Sequence, residues 1–269
     1  MKILLIDFHD QISNLLKIYK MLLLGDIGNS ETKICLINSN NKIIKKITFS
    51  SKNLTNFKLK KKFKLLKLKN FNIVKCLFCS VVPKTFQLVK KHIKKFYKIN
   101  CLELKDLNIE KLLKIKVNKK QIGSDRLANA IAVINNKNNF IILDFGTATT
   151  FDVLIKNVYH GGVIAPGLKL SLNMLISNAS LIPQLNLKKI NKVIGLNTVS
   201  AVRSGFYWGY VGLIDNILNL IKKETSKSFK IIITGGFSNL FGTSVYKKKV
   251  IINKDITING LIKATDLIK

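Results

Sequence analysis

Arginine is almost absent from this 269-residue sequence, in which Arg126 and Arg203 are the only two. Lysine supplies the rest of the 46 basic side chains, and with only 14 acidic residues the net charge is +32. Proteins that read nucleic-acid bases rely on the planar fork of the guanidinium group, so this composition argues against that class. We interpret the charge as lysine spread over solvated faces, and a basic patch for nucleic acid is the alternative. The two arginines are candidates for positions that need a guanidinium.

Long apolar runs are missing as well, although 47% of the residues are hydrophobic and the mean hydropathy is +0.20. No run approaches the roughly 20 residues that a membrane-spanning helix needs. The N-terminal stretch carries Asp7 and Asp10 and has no small-residue cleavage site, which argues against a secretory signal. We therefore expect a cytoplasmic protein with a buried core and no membrane attachment.

Cysteine is scarce and occurs only at Cys35, Cys76, Cys79 and Cys101. Cys76 and Cys79 form a single CxxC, but it lies inside a strand-like run rather than at a helix start. Neither a second cysteine pair nor a histidine cluster follows it, as a zinc site would require. Buried free thiols in a reducing compartment are the expected state.

The strongest functional signal is residues 140–152, which read Phe-Ile-Ile-Leu-Asp-Phe-Gly-Thr-Ala-Thr-Thr-Phe-Asp. A buried strand would deliver the carboxylate of Asp144 to its end, and Gly146 would permit a tight turn there. The threonines that follow offer hydroxyl and backbone N–H groups to an anion. An ordinary hairpin turn fits this stretch equally well when it is taken alone.

A second copy of the pattern lies near the N-terminus. Residues 21–24 are an apolar strand that leads into a turn with Asp26 and Gly28, and residues 32–38 read as the returning strand. Two Asp-x-Gly hairpins, one in each half of the chain, indicate a duplicated architecture. Each half would offer one carboxylate and one turn that cradles phosphate.

The rest of the chain alternates between helix-like and strand-like segments. Helices are predicted over residues 54–66, 85–97, 127–132, 168–177, 201–222 and 259–268, and strands over 42–49, 73–82, 99–102, 230–233 and 250–252. Residues 107–120 are too polar to assign. Ser124 or Asp125 could cap the helix that follows them. The glycine-rich residues 161–167 are predicted to form a close-approach loop, with a plain strand–helix connector as the alternative.

Seven motifs, taken together and in this order, resemble the type III pantothenate kinases of the acetate and sugar kinase/heat-shock chaperone/actin superfamily. The motifs are residues 26–30, 80–83, 123–126, 144–150, 161–167, 197–198 and 235–236. The pair Gly-Ser-Asp-Arg and Asp-Phe-Gly-Thr-Ala-Thr-Thr is highly specific, whereas a diglycine alone is weak. The resemblance covers residue 21 to the C-terminus.

The resemblance implies an α/β fold of two actin-like (ribonuclease H-like) lobes. Each lobe would be a mixed β-sheet flanked by helices, with the active site in the cleft between them. We expect the first lobe over residues 21–122 and the second over 123–269. Residues 1–20 would be an N-terminal extension, either a short amphipathic helix or the product of a mis-called start codon, because Met21 matches the family's usual start.

The resemblance also implies the reaction, which is ATP-dependent phosphorylation of pantothenate to 4'-phosphopantothenate, the first step of coenzyme A biosynthesis. Asp26 would orient Mg²⁺ and the phosphates, and Asp144 would bind a monovalent cation, either K⁺ or NH₄⁺. The residues expected at ATP are Asp26, Ile27, Gly28, Asn29, Ser30, Glu31, Thr32, Lys33, Thr147, Gly235 and Gly236.

On the substrate side, the resemblance implies that pantothenate binds to Gly123, Ser124, Asp125, Arg126 and Thr198. Asp125 would be the base that aligns the primary hydroxyl and accepts its proton late in the transfer. A guanidinium can clamp a carboxylate bidentately, and pantothenate has one. Arg126 would therefore either hold that carboxylate or orient Asp125.

Two departures from the family pattern stand out. Ser30 replaces a commoner threonine and keeps the hydroxyl, while Lys116 or Val117 stands where many members have a tyrosine that contacts pantothenate. Two alternative functions follow from the charge and the scaffold. One is a regulatory or nucleic-acid-binding accessory protein, and the other is a kinase of another small hydroxylated acid.

The family resemblance further implies a homodimer. The predicted helix over residues 201–222 carries Tyr207, Trp208 and Tyr210, and we expect the contact between subunits there. Lone aromatic side chains at helical spacing are more often core residues, which is the alternative.

Overall fold

The structure is a computed structural model that describes residues 20–242 and 250–268. The predicted N-terminal extension lies outside the described residues, apart from Lys20. No helix among the described residues is both long enough and apolar enough to span a membrane.

The first sheet has five strands in the order β3-β2-β1-β4-β5. β1 pairs antiparallel with β2 and parallel with β4, which makes the sheet mixed. The strands are β1 (Lys20–Ile27), β2 (Glu31–Ile37), β3 (Ile43–Ser50), β4 (Asn72–Ser80) and β5 (Leu102–Glu103).

Helices cover both faces of this sheet. On one face α1 (Asn56–Leu66) and α2 (Pro83–Tyr97) enclose a core that includes Leu23, Ile27 and Phe78. Side chains alternate along a strand, so Leu24 and Asp26 point to the opposite face. α7 (Ile256–Ala264) packs against β1 and β4, and it also meets α3 (Ser124–Val133).

The second sheet has six strands in the order β11-β10-β7-β8-β9-β6. Its core is formed by the apolar side chains of β7, β8 and β10 with those of the long helix α5. The strands are β6 (Lys114–Ile115), β7 (Asn139–Phe145), β8 (Ala148–Ile155), β9 (Val158–Pro166), β10 (Lys230–Gly235) and β11 (Val250–Ile252), and the helices are α4 (Leu168–Asn178), α5 (Thr198–Thr225) and α6 (Ser238–Phe241).

The chain forms two compact units that follow the sheets. One contains residues up to Leu113, Asn118–Ala132 and the segment from Ile256, and the other contains Lys114–Val117 and Val133–Asp255. The predicted lobe boundary at residue 122 is a single position in the sequence, whereas each of these units combines segments that are separate in the sequence. α3 packs with the first unit because Gly260 of α7 lies directly against the backbone of Ala128.

The predicted fold class is confirmed in its mixed sheets flanked by helices. Most predicted helices and strands are present, with ends that differ by a few residues. The loop predicted over residues 161–167 is wrong, since β9 runs through Pro166 and pairs with β8 along its length. The strand predicted over 99–102 is also displaced, and β5 is Leu102–Glu103.

Candidate active site

Asp26 stands near the end of β1, in the centre of the first sheet. Its register partners are Lys33 on β2 and Cys79 on β4, and all three side chains share the face opposite the α1–α2 core. The turn that follows is tight, because the backbone N–H of Gly28 donates to the carbonyl of Glu31 at 2.9 Å. The apolar strand thus delivers a half-buried carboxylate to the end of the sheet.

Alternation along the strands divides the predicted ATP segment 26–33 into two sets. Ile27 and Thr32 pair with each other and point into the core, and the Thr32 hydroxyl lies 2.8 Å from that of Ser51. A contact of these two residues with ATP would therefore use backbone atoms. Asn29, Ser30 and Glu31 form the second set and are exposed at the turn.

Residues 123–126 form the start of α3. The Asp125 carboxylate folds back over the helix terminus, where its Oδ1 accepts the backbone N–H of Arg126 at 2.8 Å. Gly123 leaves the room for this, since a Cβ there would collide with Asp125 Oδ1. Asp125 is the second residue of the helix, and this bond fixes its carboxylate at the start of α3.

Asp26 and Asp125 come from distant parts of the sequence and interact electrostatically. Burial raises the pKa of both carboxyl groups above their usual range. The N–H and the charge of Arg126 oppose this effect on the pKa of Asp125. The negative charge of Asp125 adds to burial in raising the pKa of Asp26 to about 6. Repelling carboxylates of this kind are typical of cation-binding and catalytic sites.

Cys79 lies against the same pair. Its thiol donates a hydrogen bond to Asp26 Oδ1 at 3.5 Å. Burial, followed by the charges of Asp26, Asp125 and Glu103, raises the pKa of the Cys79 thiol well above its usual range. The thiol therefore remains protonated and serves as a donor rather than as a nucleophile. Cys76 points to the opposite face of β4, where it joins the α1–α2 core, so the two cysteines of the CxxC do not face each other.

Sequence reasoning missed Glu103, the third carboxylate near Cys79. Its Oε1 accepts the backbone N–H of Ser80 at 3.3 Å and the hydroxyl of Ser124. Ser124 is only 1% exposed, so its hydroxyl is directed to Glu103 rather than to solvent. Glu103 belongs to a two-residue strand outside every motif, and no local pattern marked it.

Asp144 occupies the equivalent position in the second unit, near the end of β7. Its register partners are Thr150 on β8 and Thr234 on β10, which share its face of the sheet. The turn is closed by the Gly146 N–H, which donates to the carbonyl of Ala148 at 3.1 Å. One carboxylate flanked by two hydroxyls is a donor set suited to a cation of low charge.

Two further glycine turns lie beside Asp144. Gly235 has φ of +84°, and a Cβ on it would come within 2.5 Å of the Phe145 carbonyl oxygen. The Gly236 N–H donates to that same oxygen at 3.1 Å. Gly167 packs directly on the Thr147 carbonyl. The structure therefore brings the predicted ATP contacts Thr147, Gly235 and Gly236 to one end of the second sheet.

Thr198 is the exposed first residue of α5, behind the N-cap Asn197. The Asn197 side chain and Ser200 form a reciprocal capping box that fixes the start of this 28-residue helix. Arg203, one turn further, donates its Nε–H to the carbonyl of Asn186 at 3.0 Å. This guanidinium thus ties the preceding segment to the helix.

The two carboxylate sites differ in the metals they suit. Among the described residues, no group of three or more His, Cys, Asp or Glu side chains is arranged to hold a metal. Mg²⁺ in kinases binds one or two carboxylates together with nucleotide phosphates and water. Asp26 and Asp125 could provide these carboxylates. The oxygen atoms of Asp144, Thr150 and Thr234 could hold a monovalent cation.

Comparison with known proteins gives a consistent result. The family model for type III pantothenate kinase matches residues 22–220. The type III pantothenate kinase of Pelagibacter ubique is 70% identical over 93% of this chain and 100% of its own length. That of a Sulfurihydrogenibium species is 37% identical over 84% of this chain and 92% of its own.

Two solved structures share the fold. A Campylobacter jejuni protein described as a Baf family transcriptional activator matches with a TM-score of 0.58 and 21% identity, over 91% of this chain and 97% of its own. A Sinorhizobium meliloti protein assigned as a 2-dehydro-3-deoxygalactonokinase matches with a TM-score of 0.55 and 9% identity. The match covers 91% of this chain and 98% of that protein. At such identities the likeness concerns the fold alone.

Proposed function

The chain belongs to the type III pantothenate kinases, and on that premise we propose that Asp125 is the base and Asp26 the phosphate-side carboxylate of its reaction. The reaction is ATP-dependent phosphorylation of pantothenate, in the biosynthesis of coenzyme A. The observation that supports the assignment is the electrostatic interaction of Asp26 with Asp125 inside the first unit, although the two residues are far apart in the sequence.

Asp125 suits the role of base because its carboxylate is fixed at the start of α3. The N–H of Arg126 holds one oxygen, and the guanidinium of Arg126 lowers the pKa of the carboxyl against the effect of burial. Asp125 can then align the primary hydroxyl of pantothenate and accept its proton as the bond to phosphorus forms. These contacts support a role for Arg126 in orienting the Asp125 carboxylate and favouring its ionised form. A clamp of Arg126 on the carboxylate of pantothenate is the second proposal.

Asp26 suits the phosphate side because a cation there removes its electrostatic penalty. Burial and the charge of Asp125 disfavour the ionised form of Asp26, while Lys33 on the neighbouring strand favours it. Bound Mg²⁺ would neutralise charge on the transferring phosphoryl group and on Asp26 together. Gly28, Asn29 and Ser30 would offer the turn to the phosphates.

In the second unit we assign a monovalent cation, K⁺ or NH₄⁺, to Asp144 with the threonines beside it. Gly235 and Gly236 pack on the backbone of Phe145, next to Asp144 in the sequence, and with Thr147 they would contact ATP. Thr198 is assigned to pantothenate. Ser124 is the exception among the proposed substrate contacts, since its buried hydroxyl donates to Glu103 and a contact with pantothenate would use its backbone atoms.

The proposal includes a homodimer in the cytoplasm, with α5 at the contact between subunits. Tyr207 and Tyr210 pack into the core, but Trp208 remains 36% exposed on the helix. Exposed apolar side chains are concentrated in the stretch leading to it, and patches of that kind mark interfaces. They are Leu170, Met174, Leu175, Leu181, Val193, Ile194 and Leu196.

ADP release by the purified chain tests the proposed function. Pantothenate should stimulate release, and an analogue without the primary hydroxyl should not. Stimulation by another hydroxylated acid but not by pantothenate would overturn the substrate. The net charge of +32 motivates the nucleic-acid alternative, which would show as DNA binding that falls steeply with salt in a chain without kinase activity.

A further inference from the structure

We infer that Glu103 is a positioning residue for the catalytic base, which it reaches through Ser124. Glu103 makes no part of the family motifs quoted above, yet its carboxylate contacts two of the segments that carry them. The inference rests on the proposed role of Asp125 and adds the side chain that holds Asp125 in place.

The link begins at the edge of the first sheet. β5 pairs with β4 through Phe78 and Glu103, which fixes the Glu103 backbone to the strand that carries Cys79. Glu103 Oε1 accepts the N–H of Ser80 at 3.3 Å, and Oε2 accepts the N–H of Lys105 at 2.6 Å. Each oxygen therefore has a backbone donor, so the carboxylate is held before it reaches Ser124.

The link continues to the base through one hydroxyl. Ser124 donates its hydroxyl to Glu103 Oε1, and a hydrogen bond to an ionised acceptor is about twice as strong as a neutral one. Ser124 is the first residue of α3 and Asp125 is the second. Anchoring Ser124 to the sheet edge therefore fixes the helix terminus whose N–H groups hold the Asp125 carboxylate.

The contacts also explain why a carboxylate is required at residue 103. All three donors point at the two oxygens, so an amide would place its NH₂ against at least one N–H group. The simpler role for Glu103 is a cap of the short turn at Leu104–Asp106, through Lys105. A cap alone would affect stability and leave the chemical step unchanged.

Steady-state kinetics on Glu103→Gln, Ser124→Ala and the double variant separates these roles. We expect each single change to lower kcat about 10-fold to 100-fold, as loss of a supporting contact does, with the KM for ATP unchanged. The double variant should lose no more than the worse single variant, because both changes cut one link. Ser124→Ala removes only a hydroxyl and reports on the link if the change at Glu103 disturbs folding. Glu110→Gln, which alters an exposed carboxylate nearby, is the matched control and should match the wild type.

Wild-type kcat in folded Glu103→Gln and Ser124→Ala would overturn the inference. Equal, independent losses that multiply in the double variant would do the same. The wild-type chain tests the proposed function separately. If it shows no pantothenate-dependent ADP release, the proposed function itself is wrong. If the wild type is active and both variants keep its kcat, only the positioning role of Glu103 is wrong.

Discussion

The two Asp-x-Gly hairpins share a sequence pattern but place their carboxylates in different surroundings. Asp26 lies between Lys33 and Cys79 and interacts with a second carboxylate, Asp125. Asp144 lies between two threonines, Thr150 and Thr234. The neighbours on the adjoining strands, rather than the hairpin itself, therefore decide what each aspartate can bind. In our proposal the first site would hold a divalent cation with phosphate, and the second would hold a monovalent cation.

Among changes at the two hairpins, Asp26→Asn should produce the largest loss of activity. It removes the carboxylate that would face Mg²⁺ and the phosphates, and losing one such electrostatic contact costs on the order of 1,000-fold in kcat. The same change removes a disfavoured buried charge, so the free energy of unfolding at pH 8 should rise by about 1–2 kcal/mol. Measured together, lost activity and gained stability would identify a functional carboxylate. A stability loss with retained activity would contradict the role.

Asp144→Asn should have a smaller and different effect. We expect the activation by K⁺ to disappear and kcat/KM to fall by about 10-fold to 100-fold, as for loss of a supporting metal contact. Thr150→Val is a matched change at the same site that removes one neighbouring hydroxyl and should weaken the K⁺ dependence. Retention of full K⁺ activation in Asp144→Asn would show that the two hairpins do not differ in the way proposed.

The stability difference between wild type and Asp26→Asn should depend on pH in a direction that the pKa fixes. The pKa of Asp26 is about 6 in the folded protein against a usual value of 3.8, so the folded state holds the proton more tightly. The contribution of Asp26 to stability is therefore greatest at low pH and is lost as pH rises from about 4 through about 6. Denaturant unfolding of both proteins at several pH values measures this. A difference that does not change with pH would contradict the buried, repelled carboxylate.

Gly235→Ala should have the smallest effect of these changes. It should lower the stability of the turn beside Asp144. A Cβ at this positive φ would meet the Phe145 carbonyl 2.5 Å away, beside Asp144. Backbone strain of this kind costs about 1–3 kcal/mol. Gly236→Ala is the matched control, since a Cβ there has no neighbour within 4 Å. Equal melting temperatures for the two variants would show that the close approach at Gly235 is not needed.

Local patterns in the sequence were sufficient to predict both hairpins. An apolar run that ends in Asp-x-Gly specifies a strand and a turn over about ten residues, without reference to distant segments. The prediction for Thr32 was less complete, because the pairing of Ile27 with Thr32 decides which face it takes. That register is a property of two strands, and the turn motif alone does not encode it.

Contacts between distant segments could not be predicted in the same way. The hydrogen bond from Ser124 to Glu103 joins residues 21 apart, and that from Thr257 to Asn129 joins residues 128 apart. The second contact ties α3 to α7, and both helices belong to the same compact unit as the first sheet. Nothing in the composition or periodicity of β5 marks Glu103, because a two-residue strand is too short to show a pattern.

Pantothenate-dependent ADP release by Asp125→Asn tests the assignment of the base most directly. Asp106→Asn, a change at an exposed carboxylate in the same unit, is the control. The account predicts a fall in kcat of about 100-fold to 10,000-fold for Asp125→Asn, with the protein folded and the control unaffected. Wild-type turnover by folded Asp125→Asn would contradict the assignment of Asp125 as the base.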